Sequence, residues 1–290
     1  MKVSGFTFIR NAAKYDYPVR EAILSILPLC DEVIVMVGNS DDGTRALIES
    51  IGDHRIKIFD SVWDDSLREG GKVLAHETNK AFDKVSADSD WAFYIQGDEV
   101  FHEHGMEAIN DAMQKHRDNK QVEGLLFNYH HFYGSYDYVG DSRRWYRKEI
   151  RIIRNDKSIR SYRDAQGFRK NGKKLKVKPV YAFMHHYGWV KPPSAMQAKQ
   201  VSFNKLWHSD QWVKEHIPDV TEFDYTGIDS LKLFRGTHPE VMKPRIAAQN
   251  WKFTFDPTKR KQSVKILVLK LIEDFTGWRV GEYKNYKLVK

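Results

Sequence analysis

The sequence predicts an α/β fold, a mostly parallel sheet flanked by helices, with a C-terminal helical extension. Three observations predict it. Two apolar runs of strand length, Glu32–Val37 and residues 91–95, each end in a small acidic turn. The first turn is Gly38-Asn39-Ser40-Asp41-Asp42-Gly43-Thr44, and the second is Gln96-Gly97-Asp98-Glu99. Strand and helix patterns alternate from the N-terminus, which indicates parallel strands covered by helices. After residue 129 the chain turns aromatic and basic.

The elements follow in order. Val3–Ile9 reads as a strand, and residues 10–17 as a polar turn. Pro18 suits the first position of a helix running to residue 27, with Pro28 ending it. Glu32–Val37 is the second strand, and Asp41 or Asp42 can cap a helix over 44–51. A short strand at 55–59, a helix over 72–85, a strand at 91–95, a helix over 105–116 and a strand at 122–129 complete the alternation. Strand-like pieces recur at 149–154, around Tyr162 and at 177–183. Helical spacing returns at 194–207 and 241–251, and the tail, 259–290, is basic and partly amphipathic. Without a linker or repeat, the simplest division is one domain over 1–190, split into 1–129 and 130–190, and an extension over 191–290.

The 290 residues, 41% hydrophobic and 30% charged, are globular in composition rather than disordered. The aromatics of 127–138 suit either a stacking surface or a core. A single cysteine, Cys30, excludes an internal disulfide and a cysteine-cluster metal site, and suits a buried position. Residues 1–9 are too short for a signal peptide, and Arg10 follows them. The longest apolar stretch, 264–272, is broken by Lys265 and Lys270 and cannot span a bilayer. A cytoplasmic protein is expected.

Charge is unevenly spread. Residues 1–142 carry 14 Lys+Arg and 25 Asp+Glu, residues 143–178 carry 15 and 3, and the whole chain has net charge +8. This asymmetry could bring a metal and cationic side chains onto one anionic ligand, or be solvated surface charge. Carboxylates at the carboxyl ends of strands, beside glycines such as Gly97, suit a divalent cation and a phosphate-bearing substrate.

Together these features resemble a family 2 glycosyltransferase of the GT-A (Rossmann-like) fold. The residues that carry the resemblance are Arg10-Asn11 after the first strand, Ser40-Asp41-Asp42-Gly43-Thr44 after the second, Gly71 with Asn79-Lys80-Ala81, and Gly97-Asp98-Glu99. It covers roughly 1–190. Two departures stand out. The paired aspartates usual before the Ser-x-Asp-Gly-Thr turn are Val37 and Gly38, and the usual Asp-x-Asp is Gln96-Gly97-Asp98.

The resemblance implies sugar transfer from a nucleotide-sugar donor to a hydroxyl of a glycan or glycolipid acceptor, with inversion, in cell-envelope glycan synthesis. It implies a divalent cation, Mn²⁺ or Mg²⁺, on Asp98, with a late histidine on the same metal. His185 and His186 alternate across a strand, and His186 is favoured. Asp98 and Glu99 could instead cap the next helix. Glu99 would orient the turn or hold a sugar hydroxyl. The general base falls in the Tyr162–Gly167 region, where Asp164 is the candidate and Asp141 the second choice. Neighbouring cations are expected to keep Asp164 ionised, and a salt bridge to Arg160 or Arg163 is the alternative.

Arg143, Arg144, Arg147 and Arg151 could cradle a diphosphate or an anionic acceptor, and Arg143-Arg144-Trp145-Tyr146 also resembles an acceptor loop. Arg10 and Asn11 are nucleotide candidates, Asp42 a ribose or base contact, and Lys72 a phosphate ligand at a helix N-terminus. The tail either packs on the catalytic domain or lies on the inner face of an anionic membrane. A nucleotidyltransferase would show a glycine-rich loop after the first strand, and residues 10–17 contain no glycine. A non-catalytic, transferase-like polyanion binder would use 143–178, against the acidic balance of 1–142. Nucleic acid is therefore not an expected partner.

Overall fold

A computed structural model describes residues 1–258 and 261–289. Lys259, Arg260 and Lys290, which belong to the basic tail, lie outside the described residues. Four strands form the expected parallel half of the sheet. β1 (Val3–Ile9) lies between β2 (Glu32–Val37) and β4 (Trp91–Tyr94), and β3 (Ile56–Asp60) extends the sheet beyond β2. Their crossovers contain α1 (Val19–Ile26), α2 (Thr44–Glu49) and α3 (Lys72–Asp83). Pro18 is the cap before α1 rather than its first residue.

Parallel strands covered on both faces are apolar throughout, and β2 is buried at all six positions. Its side chains alternate between two cores. Val33, Val35 and Val37 meet Ala22, Ile23 and Ile26 of α1. Ile34 and Met36 share the other core with Ala81 and Phe82 of α3. Cys30 is buried, as expected.

Asp98 and Glu99 do not cap a helix. Glu99 opens a short strand, β5 (Glu99–Phe101), and α4 (Met106–His116) begins after a further 3₁₀ turn. The second half of the sheet is mixed. β6 (Gly124–Tyr133) turns at Gly134 into β7 (Ser135–Gly140), and β8 (Lys148–Arg154) runs antiparallel between β6 and β4. A small antiparallel sheet follows: β9 (Ile159–Tyr162), β10 (Gly167–Lys170) and β11 (Lys173–Lys174).

β12 (Lys176–Trp189) then pairs parallel with β6 and antiparallel with β5. It runs past the expected end at residue 183 and so carries His185 and His186 beside β5. The C-terminal elements are α5 (Pro193–Asn204), α6 (Asp210–His216), β13 (Leu231–Leu233), α7 (Lys243–Ala247), α8 (Val264–Thr276) and β14 (Lys287–Leu288). β13 and β14 return to the large sheet beside β7 and β12. The expected α/β architecture, a central sheet flanked by helices, is therefore present.

Candidate active site

A cavity of about 1070 Å³ opens at the carboxyl ends of β1 and β4, the edge where open α/β sheets bind ligands. Its walls bring together Arg10, Asn11, Gly97, Asp98, Arg144, Arg151, Asp164 and His186. Asp42, Lys72, Glu99 and Asp141 do not line it.

Asp98 sits in the turn between β4 and β5, its backbone carbonyl accepting from the Tyr187 N–H at 2.8 Å. Its Oδ2 lies 3.2 Å from Lys199 Nζ on α5, and both side chains are largely buried. Burial opposes ionisation of Asp98, but the Lys199 ammonium above all outweighs it and holds the carboxyl well below its usual range. Lys199 Nζ also donates to the Gly188 carbonyl at 2.9 Å.

A hydrogen-bond chain fixes the tautomer of His186. His131 Nε2 lies 2.8 Å from the Tyr146 carbonyl, which can only accept, so that nitrogen carries the proton. Burial keeps His131 neutral, so its Nδ1 is an acceptor. His186 Nδ1, 3.2 Å away, therefore donates to it. Burial, only partly offset by Asp98, also keeps His186 neutral. Its Nε2 lone pair then faces the ionised Asp98 Oδ2 at 3.7 Å. Two acceptors turned toward each other call for a cation between them. Two donors on one hard divalent ion sit about 3–4 Å apart, given bonds of about 2.1 Å. Gly188 keeps the position open: a Cβ there would come 2.6 Å from His186 Nε2 and 2.7 Å from Asp98 Oδ2. The pair fits a divalent ion, with the Lys199 ammonium as its competitor.

Glu99 is spent on structure. Both carboxylate oxygens accept from Arg151, at 2.6 and 2.7 Å, and Oε1 also accepts from Tyr129 at 2.7 Å. Oε2 takes the Gln96 N–H at 3.2 Å, so Glu99 braces the turn between β4 and β5 from outside the cavity. Arg151 is committed to this buried pair and is not free for a diphosphate.

The Ser-Asp-Asp-Gly-Thr turn is likewise turned inward. Ser40 Oγ, Thr44 Oγ1 and Asp42 Oδ2 accept from the backbone N–H groups of Asn11, Ala12 and Lys14 at 3.0, 2.7 and 2.7 Å. Asn11 Oδ1 returns a bond to the Asp41 N–H at 3.0 Å. The motif clamps the loop after β1, and Asp42 takes the Thr44 N–H at 2.9 Å instead of reaching the cavity, while Gly43 rather than Asp41 or Asp42 is the cap of α2. Beside it, Trp63 lies across Gly38, where a Cβ would come 2.5 Å from the indole nitrogen. That buried indole N–H has no partner, and the Arg10 guanidinium lies over the ring at 5.4 Å.

Asp164 occupies the loop between β9 and β10, flanked by Arg163 and Ala165 at φ 55° and 63°, left-handed values costly for residues with a Cβ. Its Oδ1 is buried without a partner. The expected depression of its pKa is not found. Burial raises it and outweighs the Arg163 guanidinium, which still pulls it down, while Arg160 is paired with Asp83 at 2.5 Å. Asp141 is held 3.3 Å from Lys270 of α8, away from the cavity. Lys72 is exposed on the first turn of α3.

Glu149, Lys199 and Trp63 were not singled out from the sequence. Glu149 lines the cavity with a partnerless buried Oε2, and burial raises its carboxyl to about 7. Strand alternation could have found it, since Glu149 lies two residues from Arg151 on β8 and both line the cavity. Arg143 and Arg147 are bound by the tail: Glu273 of α8 lies 2.8 Å from Arg143 and 3.2 Å from Arg147, and Glu282 takes Arg147 at 2.9 Å. The tail thus packs on the domain through its acids. Val264, Val268, Leu271 and Phe275 of α8 stay exposed, Phe275 at 92%. Arg144 also lines the cavity and keeps a side-chain exposure of 58%.

No family model matches the chain, and no curated protein matches it. Among solved structures, S. aureus TarS is 14% identical over 70% of this chain and 39% of its own, with a TM-score of 0.40. The chain therefore spans about two fifths of that protein. S. aureus TarS 1–349 in complex with UDP is 14% identical over 74% of this chain and 69% of its own, with a TM-score of 0.39. Glucosyl-3-phosphoglycerate synthase from Mycobacterium tuberculosis, in complex with Mn²⁺, UDP and phosphoglyceric acid, is 15% identical over 45% of this chain and 43% of its own, at 0.30. Scores this low decide neither fold nor activity. No helix among the described residues is long and apolar enough to cross a membrane.

Proposed function

We propose that this chain is a glycosyltransferase that moves a sugar from a nucleoside-diphosphate donor to an acceptor hydroxyl, with inversion and with help from Mn²⁺ or Mg²⁺. The observation that carries the reading is the His186 lone pair facing the Asp98 carboxylate at the end of β4, inside the large cavity. Asp98 and His186 would hold the cation, which would neutralise charge on the departing diphosphate. Arg144 reaches the same space and suits phosphate. Arg10 and Trp63 offer a stacking platform for the base, in place of the acidic reader absent at Val37 and Gly38.

The chemical step is a single displacement. The acceptor oxygen attacks the anomeric carbon, its proton passes to a carboxylate, and the bond from that carbon to the diphosphate oxygen breaks. Asp164 and Glu149 both line the cavity with partnerless oxygens, and burial raises both carboxyls, Glu149 to about 7, which suits a proton acceptor. The acceptor class that fits best is a glycan or glycolipid precursor at a membrane surface. The exposed apolar row on α8 supports it, joined by Glu273 to cavity-lining arginines.

The test is thermal stability with UDP-, GDP-, CMP- and dTDP-sugars, with and without Mn²⁺, on wild type and Asp98→Ala. One nucleotide should raise the melting temperature in a metal-dependent way, and Asp98→Ala should lose the rise. No shift with any donor would overturn the proposal.

A further inference from the structure

His102, Glu103 and His104 lie outside the cavity, in the turn joining β5 to α4. One ligand atom from each comes within 4.8 Å of the other two. His102 Nδ1 is 3.6 Å from Glu103 Oε2, and the two imidazole rings stand 4.2 Å apart. We infer that these three side chains form a second metal site, separate from Asp98 and His186, for a borderline first-row ion of the Zn²⁺ type.

Three features beyond proximity point to a ligand. The first is the tautomer of His102. Its Nε2 carries the proton and donates it to Thr237 Oγ1 at 2.9 Å, which leaves the Nδ1 lone pair held only by a long bond from the His104 N–H at 3.3 Å, the bond an ion would displace. A metal-binding histidine is oriented in this way, with one nitrogen donating to an outer partner and the other lone pair turned to the ion. The second is the Glu103 carboxylate, which receives only long bonds from the Glu240 N–H, at 3.2 and 3.3 Å. The third is His185 on β12. It is 2% exposed, its Nδ1 has no partner, and its ring stands edge-on to His102 at 5.3 Å. A buried polar atom left without a partner is costly, so such an atom marks a place for one. The wall beside the three ligands therefore carries an unanswered hydrogen-bonding group.

Two imidazoles and one carboxylate favour Zn²⁺, Ni²⁺ or Co²⁺ over Mg²⁺, which prefers oxygen and retains its waters. Three protein ligands leave room for water on the ion. Thr237 and Glu240 follow β13, so the site ties that loop to the β5–α4 turn. β12 separates it from the cavity: His186 faces the cavity, and its neighbour His185 faces the loop side.

The experiment is calorimetric titration of the full, untagged chain with Zn²⁺ and Ni²⁺, without nucleotide, alongside melting curves. Wild type should bind an ion saturably at a site that Asp98→Ala retains, with a rise in melting temperature that excess Mg²⁺ does not abolish. His104→Ala, an exposed position, and Glu103→Gln should each weaken binding about tenfold or more while remaining folded. Asp98→Ala should retain the site, so failure here and failure of the glycosyltransferase reading are separable. Absence of binding, binding unchanged in both His104→Ala and Glu103→Gln, or binding lost in Asp98→Ala alone would each overturn the inference.

Discussion

Replacing Lys199 with methionine should tighten Mn²⁺ binding at Asp98 and His186. The Lys199 ammonium stands 3.2 Å from Asp98 Oδ2, with side-chain exposures of 12% and 14% for the pair. At an effective dielectric constant of about 20, unit charges that close attract by about 5 kcal/mol. An arriving ion must displace this ammonium or sit beside it. The four-carbon stem and the bond to the Gly188 carbonyl at 2.9 Å let Lys199 swing aside, so only part of that energy opposes the ion. If about 1.4–2.8 kcal/mol of it does, Lys199→Met gains about 10- to 100-fold in Mn²⁺ affinity. Methionine keeps an apolar stem near the Tyr17 ring, over which the ammonium now lies at 4.9 Å. Calorimetry or the Mn²⁺ spin-resonance signal would read the affinity, with Asp98→Ala subtracting ions bound elsewhere. Unchanged or weaker Mn²⁺ binding in Lys199→Met would refute the view that the ammonium holds the cation's place.

Three further outcomes are expected. Glu149, with its carboxyl raised to about 7, holds its proton in the folded chain across a window where the unfolded chain has lost it. Its contribution is therefore full below about 4.5 and lost as pH rises to about 7, a change of about 3 kcal/mol; denaturant unfolding should show Glu149→Gln gaining relative stability from pH 5 to 8, and parallel curves would contradict this. Glu99→Gln strands the buried Arg151 guanidinium and should cost about 3–5 kcal/mol in the same assay; a loss below 1 kcal/mol would mean that the pair is not structural. Leu271→Asp with Phe275→Asp should abolish sedimentation with anionic vesicles while leaving the melting temperature within about 2 °C, because both side chains are exposed; wild type that ignores such vesicles would remove the membrane reading.

The parallel half of the sheet was legible because its strands are apolar on both faces and end in polar turns, as β2 and its Ser-Asp-Asp-Gly-Thr turn show. The same motif misled at the level of chemistry. Its hydroxyls and carboxylate face the loop after β1, and sequence identity does not say where a side chain's hydrogen bonds go. Asp98 and His186 could be picked out, yet not Lys199, whose approach depends on how α5 folds back across the cavity. The expectation for Asp164 failed because composition counted nearby cations, whereas geometry assigns Arg160 to Asp83. β12 extends past residue 183 because β6 and β5 both pair with its C-terminal half, a non-local cause invisible to a local window.

The charge asymmetry between the halves acquires a specific meaning once the pairings are traced. The basic segment 143–178 has partners on both sides in sequence. Arg151 and Arg160 are taken by Glu99 and Asp83 from the acidic half, and Arg143 and Arg147 by Glu273 and Glu282 from the tail. A polymer-binding face needs a row of cations free to release counterions, and these pairs remove four members from it. Arg10, Arg144 and Lys199 instead gather around one cavity that also holds Asp98. Low-dielectric walls strengthen such a small group of charges, and its reach matches one diphosphate rather than a strand of phosphates. The positive balance therefore favours the compact anionic ligand over the polyanion alternative, with the surrounding arginines serving as joints between the sheet and its C-terminal elements.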